Sequence, residues 1–396
     1  MSLLLACGDD DSGSGYADLS TASIADAAII YQRTGMTRAA NGGEEDEGYW
    51  KIDRQGNETK ILLYDKAGNP TDVKIEKIEK LNDKLLLIET QYYSRMIADL
   101  QTEKLYQAPD VFDTPVKEGP DGMLYFASTR DFMLYRLNPT NFTVEQVLPD
   151  GQKCLNFLVA KNQTVYYTNN ESLLQSSGKL KTPGGRIYPI IPDGIFLMNG
   201  EIHTFYFRPD FDHLDVTRWD MKSASELAEV SVFQCDLPQA STRRNTGIAK
   251  NEKNGNMLLF LTSGSGNGPE DCNLYEFDGT QFVQAKTFAP DTALGFWEDM
   301  RNRESLSEGN LYFSGNAIIT LDLNDYSLKS TPYRFPDSEY ELYTTTMDEA
   351  NSRQLFTALR YEDGKVVIGE ISAQGRISII SEKESNSKII NLIALN

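Results

Sequence analysis

The stretch Gly309–Tyr333, GNLYFSGNAIITLDLNDYSLKSTPY, decides the fold. Leu311–Phe313 is a short apolar run, Ser314-Gly315-Asn316 has turn chemistry, Ala317–Leu321 is a second run, and Asp322 opens another turn before a third extended run. Ile, Leu, Tyr and Phe suit a pleated, half-buried surface. Gly supplies positive φ at no steric cost, and Asn and Asp cap their own turns. This order of residues predicts three antiparallel strands joined by short hairpins.

The same cadence returns along the chain. It appears at Tyr49–Tyr64 (YWKIDRQGNETKILLY), Arg95–Tyr106, Met133–Leu148, Ser172–Lys181, Asp215–Phe233, Asn273–Phe288 (NLYEFDGTQFVQAKTF) and Val366–Ser381. Turn anchors fall at Asp53, Asp99, Asn138, Ser176, Asp220, Asp278, Asp322 and Ser372. They recur about every 46 residues, inside the roughly 40–50 residue range of four-stranded propeller blades. Ahead of most anchors lies a more apolar run, such as Lys84–Glu89, Met123–Ala127, Met257–Thr262 and Gln354–Leu359. Such a run reads as a strand buried on both faces.

After the last repeat one apolar strand is left over, Lys388–Leu395 (KIINLIAL), while the first repeat lacks its innermost strand. The C-terminal strand is therefore expected to complete the first sheet and close a ring, which removes open sheet edges. The predicted fold is all-β: one propeller over residues 22–396 with eight four-stranded blades, or seven if the short Cys154–Lys181 repeat is not one of them.

Leu274-Tyr275-Glu276-Phe277-Asp278 and Leu134-Tyr135-Arg136-Leu137-Asn138 carry an LYxLD…T cadence. In it the blades resemble those of the quinoprotein-like and low-density-lipoprotein-receptor-like propeller superfamilies. The tryptophan that regularly ends a quinoprotein blade is absent, since only Trp50, Trp219 and Trp297 occur, which argues against a quinone enzyme.

The N-terminus has a different character. Leu4-Leu5-Ala6-Cys7 resembles the lipobox of bacterial lipoproteins, a resemblance that implies acylation of the Cys7 thiol. Residues 1–7 then read as a residual lipoprotein signal, and residues 8–21, opening GDDDSGSG, as a flexible acidic tether. An acidic run behind the cysteine is similar to the surface-export signal of Bacteroidetes lipoproteins. These resemblances imply a cell-envelope protein held at the outer membrane by a lipid anchor. No later run approaches the roughly 20 apolar residues of a spanning helix.

A formal net charge of -20 and a pI near 4.6 argue against nucleic acid and anionic membrane surfaces as partners. Cys7, Cys154, Cys235 and Cys272 form no CxxC pair, and only His203 and His213 could join them, so a zinc site is not expected. Cys235 and Cys272 read either as a disulfide in an oxidising compartment or as two separate thiols.

No GxSxG elbow, HExxH helix or phosphate loop is present. Propeller ligands usually meet the face that carries the loops between second and third strands. Two such loops stand out, Ser128–Phe132 with Arg130 and Asp131, and Arg208–His213 with Arg208, Asp210, Asp212 and His213. Arg forks to carboxylates and aromatic rings stack on flat ligands, so these residues are the candidate ligand contacts. The bland alternative is a solvated loop with local ion pairs of little energetic weight. Asp210 and Asp212, at alternate positions, also make Ca²⁺ a candidate ligand; no other cofactor and no catalytic residue is expected. The expected function is a monomeric, noncatalytic envelope lipoprotein that binds a protein partner or glycan through this face. The alternative is a carbohydrate-active hydrolase or lyase at the same place.

Overall fold

The computed structural model describes residues 19–35, 47–148, 153–154, 156–160, 163–168, 173–175, 178–179, 194–198, 201–207, 213–223, 226–236, 245–265, 268–288, 305–307, 311–314, 317–336, 338–383 and 387–395. It is an all-β propeller. Among the described residues, eight antiparallel blade-like sheets follow one another, numbered here from 1 to 8. Sheet 2 shows the plan: Ile75–Lys80, Leu85–Thr90, Arg95–Asp99 and Leu105–Gln107, each strand bonded to the next. In the second strand Leu85, Leu86, Leu87 and Ile88 are all buried, as a strand covered on both faces requires. Each such side chain contributes about 1.5–3 kcal/mol by leaving water.

Sheet 1 draws on both ends of the chain. Ser387–Ala394 pairs antiparallel with Ala27–Gly35, which pairs with Gly48–Asp53 and then Glu58–Lys60. The C-terminal strand thus takes the first-strand position, as its apolar pattern predicted. It also packs beside Tyr340–Asp348, the first strand of sheet 8. The quoted stretch forms sheet 7, with Leu311–Ser314, Ala317–Leu321 and Leu328–Pro332 in order; no first strand is present among the described residues. Sheet 6 carries a fifth, parallel strand, Ser305–Leu306 against Asn245–Asn251. A two-stranded pairing of Leu19–Ala22 with Leu63–Asp65 stands outside the repeat.

The core lies between sheets. Among the described residues, eight apolar clusters each bridge two successive sheets, including one in which Ile29, Tyr31 and Ile52 of sheet 1 meet Leu355, Val366 and Ile368 of sheet 8. Cys154 belongs to the sheet 3–sheet 4 cluster, and burial pushes its thiol up to about 12, the state of a packing residue and not of a nucleophile. Cys7 and the side chains of Cys235 and Cys272 lie outside the described residues.

The turn anchors act as their chemistry predicts. Asp53 Oδ1 accepts the N–H groups of Gln55 and Asn57, Asp99 those of Gln101 and Thr102, and Asp278 those of Thr280 and Gln281. Asn138, Asp322 and Ser372 accept equivalent bonds. Ser176 lies outside the described residues. Asp220 is a correction: it pairs with Ala228 inside the ladder, and the strands run on until Ser223 meets Glu226. His213–Ser223 has eleven residues with two register shifts, so its alternation carries past an aspartate that only looks like a turn.

Several of these turns also reach back to the preceding sheet. Phe142, at φ 59°, stacks on Tyr106 of sheet 2 with ring centroids 3.5 Å apart. Tyr326, at φ 56°, is buried and its hydroxyl accepts a hydrogen bond from Asn251 Nδ2 of sheet 6. A left-handed backbone is costly for residues with a side chain. At both positions the cost is offset by contact between blades.

Candidate functional site

In an antiparallel sheet the first-to-second and second-to-third turns lie at opposite ends. The propeller therefore has two distinct faces, and each carries one notable feature.

The second-to-third loops of sheets 3 and 8 are built alike. In sheet 3, Ser128 N–H donates to the Met133 carbonyl and Phe132 N–H to the Ser128 carbonyl, at 3.0 and 2.8 Å. In sheet 8, Arg360 N–H donates to the Lys365 carbonyl and Gly364 N–H to the Arg360 carbonyl, at 2.7 and 2.9 Å. The left-handed position is Phe132 in one loop, at φ 60°, and Gly364 in the other, at φ 70°. Tyr93, in the sheet 2 loop, also has φ 60°.

Unlike Phe142 and Tyr326, these left-handed aromatic residues face water. Tyr93 is 93% exposed and Phe132 44%. Tyr92 and Tyr361, from the sheet 2 and sheet 8 loops, complete the set of exposed aromatic side chains among the described residues. All four stand on one class of loop, and so at one face. The Lys153 ammonium sits 5.5 Å from the Phe132 ring centroid.

Arg130 and Asp131 part ways here. Asp131 Oδ1 accepts the Met133 N–H at 3.0 Å, as Asp363 accepts the Lys365 N–H in the sister loop. Its Oδ2 accepts the Tyr135 hydroxyl at 2.6 Å. Partial burial pushes the Asp131 carboxyl up, but the bonds from Tyr135, Met133 and Ser128 outweigh it and hold the group below the usual carboxylate range. Burial, then the neighbouring Asp131, push the Tyr135 phenol up to about 12. Asp131 is thereby engaged in shaping its loop. Arg130 extends into solvent and reaches Asp110 Oδ2 at 3.4 Å, an exposed pair of little energetic weight. Arg208, Asp210 and Asp212 lie outside the described residues, as does the side chain of His213, whose backbone opens the third strand of sheet 5.

The opposite face carries a cavity of about 850 Å³. It is walled by Ile78–Lys80 of sheet 2 with Leu81 and Asp83 of the following turn, by Thr114–Val116 leading into sheet 3, by Thr346–Asp348 of sheet 8 with Glu349, and by Leu392–Ala394 of sheet 1. First strands from successive sheets thus converge on one space, of a size that suits a small molecule. No three His, Cys, Asp or Glu side chains cluster as metal ligands among the described residues.

The sequence singles out Ser128–Phe132 for Arg130, Asp131 and an aromatic ring; the structure adds the exposed rings of Tyr92, Tyr93 and Tyr361 on the same class of loop. The available signal was an aromatic residue, Phe132, at the hairpin position where Gly364 sits in the sister repeat. The cavity had no local signal, because its walls come from segments far apart in the chain.

No family model and no curated protein matches the chain. Solved structures with similar backbones include a streptogramin B lyase, with 15% identity, 70% of this chain and 84% of that one covered, and a TM-score of 0.38. Another is the dihydro-heme d1 dehydrogenase NirN, with 11% identity, coverage of 96% and 75%, and a TM-score of 0.38. A third is an oligogalacturonate lyase from Vibrio parahaemolyticus, with 10% identity, coverage of 89% and 100%, and a TM-score of 0.37.

Proposed function

We propose that this protein is a noncatalytic propeller of the cell envelope, anchored through an acylated Cys7, that binds a glycan or a protein partner on its second-to-third loop face. The observation that carries this reading is the set of exposed rings on that face, with Phe132 and Tyr93 held in a left-handed backbone that a glycine adopts more cheaply. Sparsely populated backbone conformations persist where surrounding structure imposes them, and they concentrate at ligand contacts. Aromatic rings combine a large apolar face with low side-chain entropy, which suits recognition of sugars and of protein surfaces alike. The loop carboxylates Asp131 and Asp363 are engaged by their own turns, which favours a binding surface over an acid–base pair.

The test is a glycan array, with titration of the glycans that score, for the wild type and a Tyr93→Ala/Phe132→Gly double variant. Binding that the double variant loses supports the proposal. Release of reducing sugar or unsaturated product from the bound glycan would instead favour a hydrolase or lyase. Equal binding by the two proteins would remove the loop face from consideration.

A further inference from the structure

We propose that the cavity on the opposite face is a second binding site, which takes a small uncharged molecule. Its hydrogen-bonding group meets the Thr346 hydroxyl and its apolar body fills the rest.

The volume of about 850 Å³ falls within the range of roughly 300–1,000 Å³ occupied by small-molecule sites. Such sites combine apolar walls with a few polar groups that fix orientation. Here Ile78, Leu81, Val116, Met347, Leu392 and Ile393 supply the apolar wall, from sheets 1, 2 and 8 and the segment leading into sheet 3.

The charged groups of the wall are already matched. Lys77 binds Glu79 at 2.7 Å, Lys80 binds Asp83 at 2.8 Å, and Arg353 binds Asp348 at 2.7 Å. Arg353 also holds Glu370, which does not line the space. Glu349 has an interaction of its own. A ligand ion of either sign therefore has to displace an existing partner. It would trade one partly exposed pair for another of similar small weight while giving up its own hydration. An uncharged ligand gives up far less on leaving water.

The two wall hydroxyls are not equivalent. Thr114 Oγ1 donates to Glu79 Oε2 at 3.3 Å and is thereby engaged. Thr346 Oγ1 makes no hydrogen bond among the described residues, so it remains for water or a ligand. Thr346 stands on the first strand of sheet 8, opposite Leu355 of the second, and the ladder fixes its place in the wall. A hydroxyl both donates and accepts, so it can meet an alcohol, a carbonyl or an amide without any charge on the ligand.

This site does not depend on the ring-bearing face. Leu81 and Asp83 follow the first strand of sheet 2, whereas Tyr92 and Tyr93 follow the second, at the other end of the same sheet.

The experiment titrates the full chain with 1-octanol, octylamine and octanoate, equal in apolar length and different in charge, and reads calorimetry and ligand-observed NMR. Octanol is expected to bind about tenfold tighter than either ion. Thr346→Val keeps the shape of the side chain and removes the hydroxyl; it should weaken octanol about fivefold, the effect of one ordinary hydrogen bond. Val116→Trp and, separately, Leu81→Trp should block all three probes. Each variant is checked for an unchanged β-sheet circular dichroism spectrum. An ion that binds as tightly as octanol, no octanol binding at millimolar concentration, an unchanged octanol affinity in folded Thr346→Val, or binding that survives both folded tryptophan variants would each overturn the proposal.

Discussion

Phe132 and Gly364 occupy the same position of the same hairpin, each donating its N–H to the residue four before it, at 2.8 and 2.9 Å. One is a bulky aromatic residue and the other has no side chain, yet both have positive φ. A left-handed conformation costs a residue with a Cβ roughly 1–2 kcal/mol. Glycine is less ordered before folding and regains only part of that difference. Phe132→Gly is therefore expected to leave the melting temperature unchanged or slightly raised while weakening glycan or partner binding. A ring needed for packing would behave oppositely, with stability falling and binding preserved in the folded fraction. Differential scanning calorimetry beside a binding titration separates the two.

The anchors between third and fourth strands make a prediction about stability alone. Asp278 Oδ1 accepts two backbone N–H groups and the Thr280 hydroxyl at 2.6–3.0 Å. Asp278→Ala removes these bonds but leaves the donors near water, so the expected loss is about 0.5–1.5 kcal/mol. Asp278→Asn keeps an acceptor and should lose less. Asp220→Ala should lose less than Asp278→Ala, because Asp220 sits within a ladder and opens no turn. Urea unfolding midpoints rank the three; an Asp220 variant as weak as the Asp278 variant would contradict the assignment.

That contrast also explains what was readable beforehand. Asp53, Asp99, Asp278 and Asp322 cap turns within three or four residues of themselves, so their role is written in local sequence. The partnership of Ile30 with Ile393 was legible from a surplus apolar strand at one end and a missing one at the other. Asp220 misled because an aspartate in a long, register-shifted strand has the same neighbours as one at a turn. Asp131 stands out in the sequence because it lies beside Arg130 and Phe132; that it also accepts the N–H two residues on, as Asp363 does, is visible only in the structure. The cavity joins Val116, Met347 and Leu392, and no local pattern encodes a meeting of residues so far apart.

Arg360 and Asp363 give the acid limb of stability a recognisable member. The guanidinium holds Asp363 through bonds of 3.0 and 2.6 Å and brings its carboxyl down to about 2, from 3.8. The folded pKa lies below the unfolded one, so the pair stabilises above about pH 4, and the contribution fades as pH falls towards 2. Asp363→Asn should flatten this part of the stability profile and leave it unchanged near neutrality apart from a constant offset. Unfolding midpoints measured from pH 5 to pH 2 provide the check; parallel curves for wild type and variant would exclude the pair as a contributor.

His203 acts in the adjacent pH range and for the opposite chemical reason. Its ring is fully buried, stacked on Phe196 at 5.3 Å and edge-on to Phe277 of the next sheet at 5.9 Å, with Nδ1 3.2 Å from the Glu201 carbonyl. Burial disfavours the imidazolium and outweighs the pull of Glu201, so the folded pKa lies below the ordinary 6.5. The unfolded chain then binds the proton more readily, and stability should decline as pH falls below about 6.5. His203→Phe removes the titrating group while keeping an aromatic ring between sheets 5 and 6. Between about pH 6.5 and 5 its stability is expected to fall less than that of the wild type. Chemical denaturation across that interval decides the matter: equal slopes in the two proteins would mean that His203 does not carry the dependence.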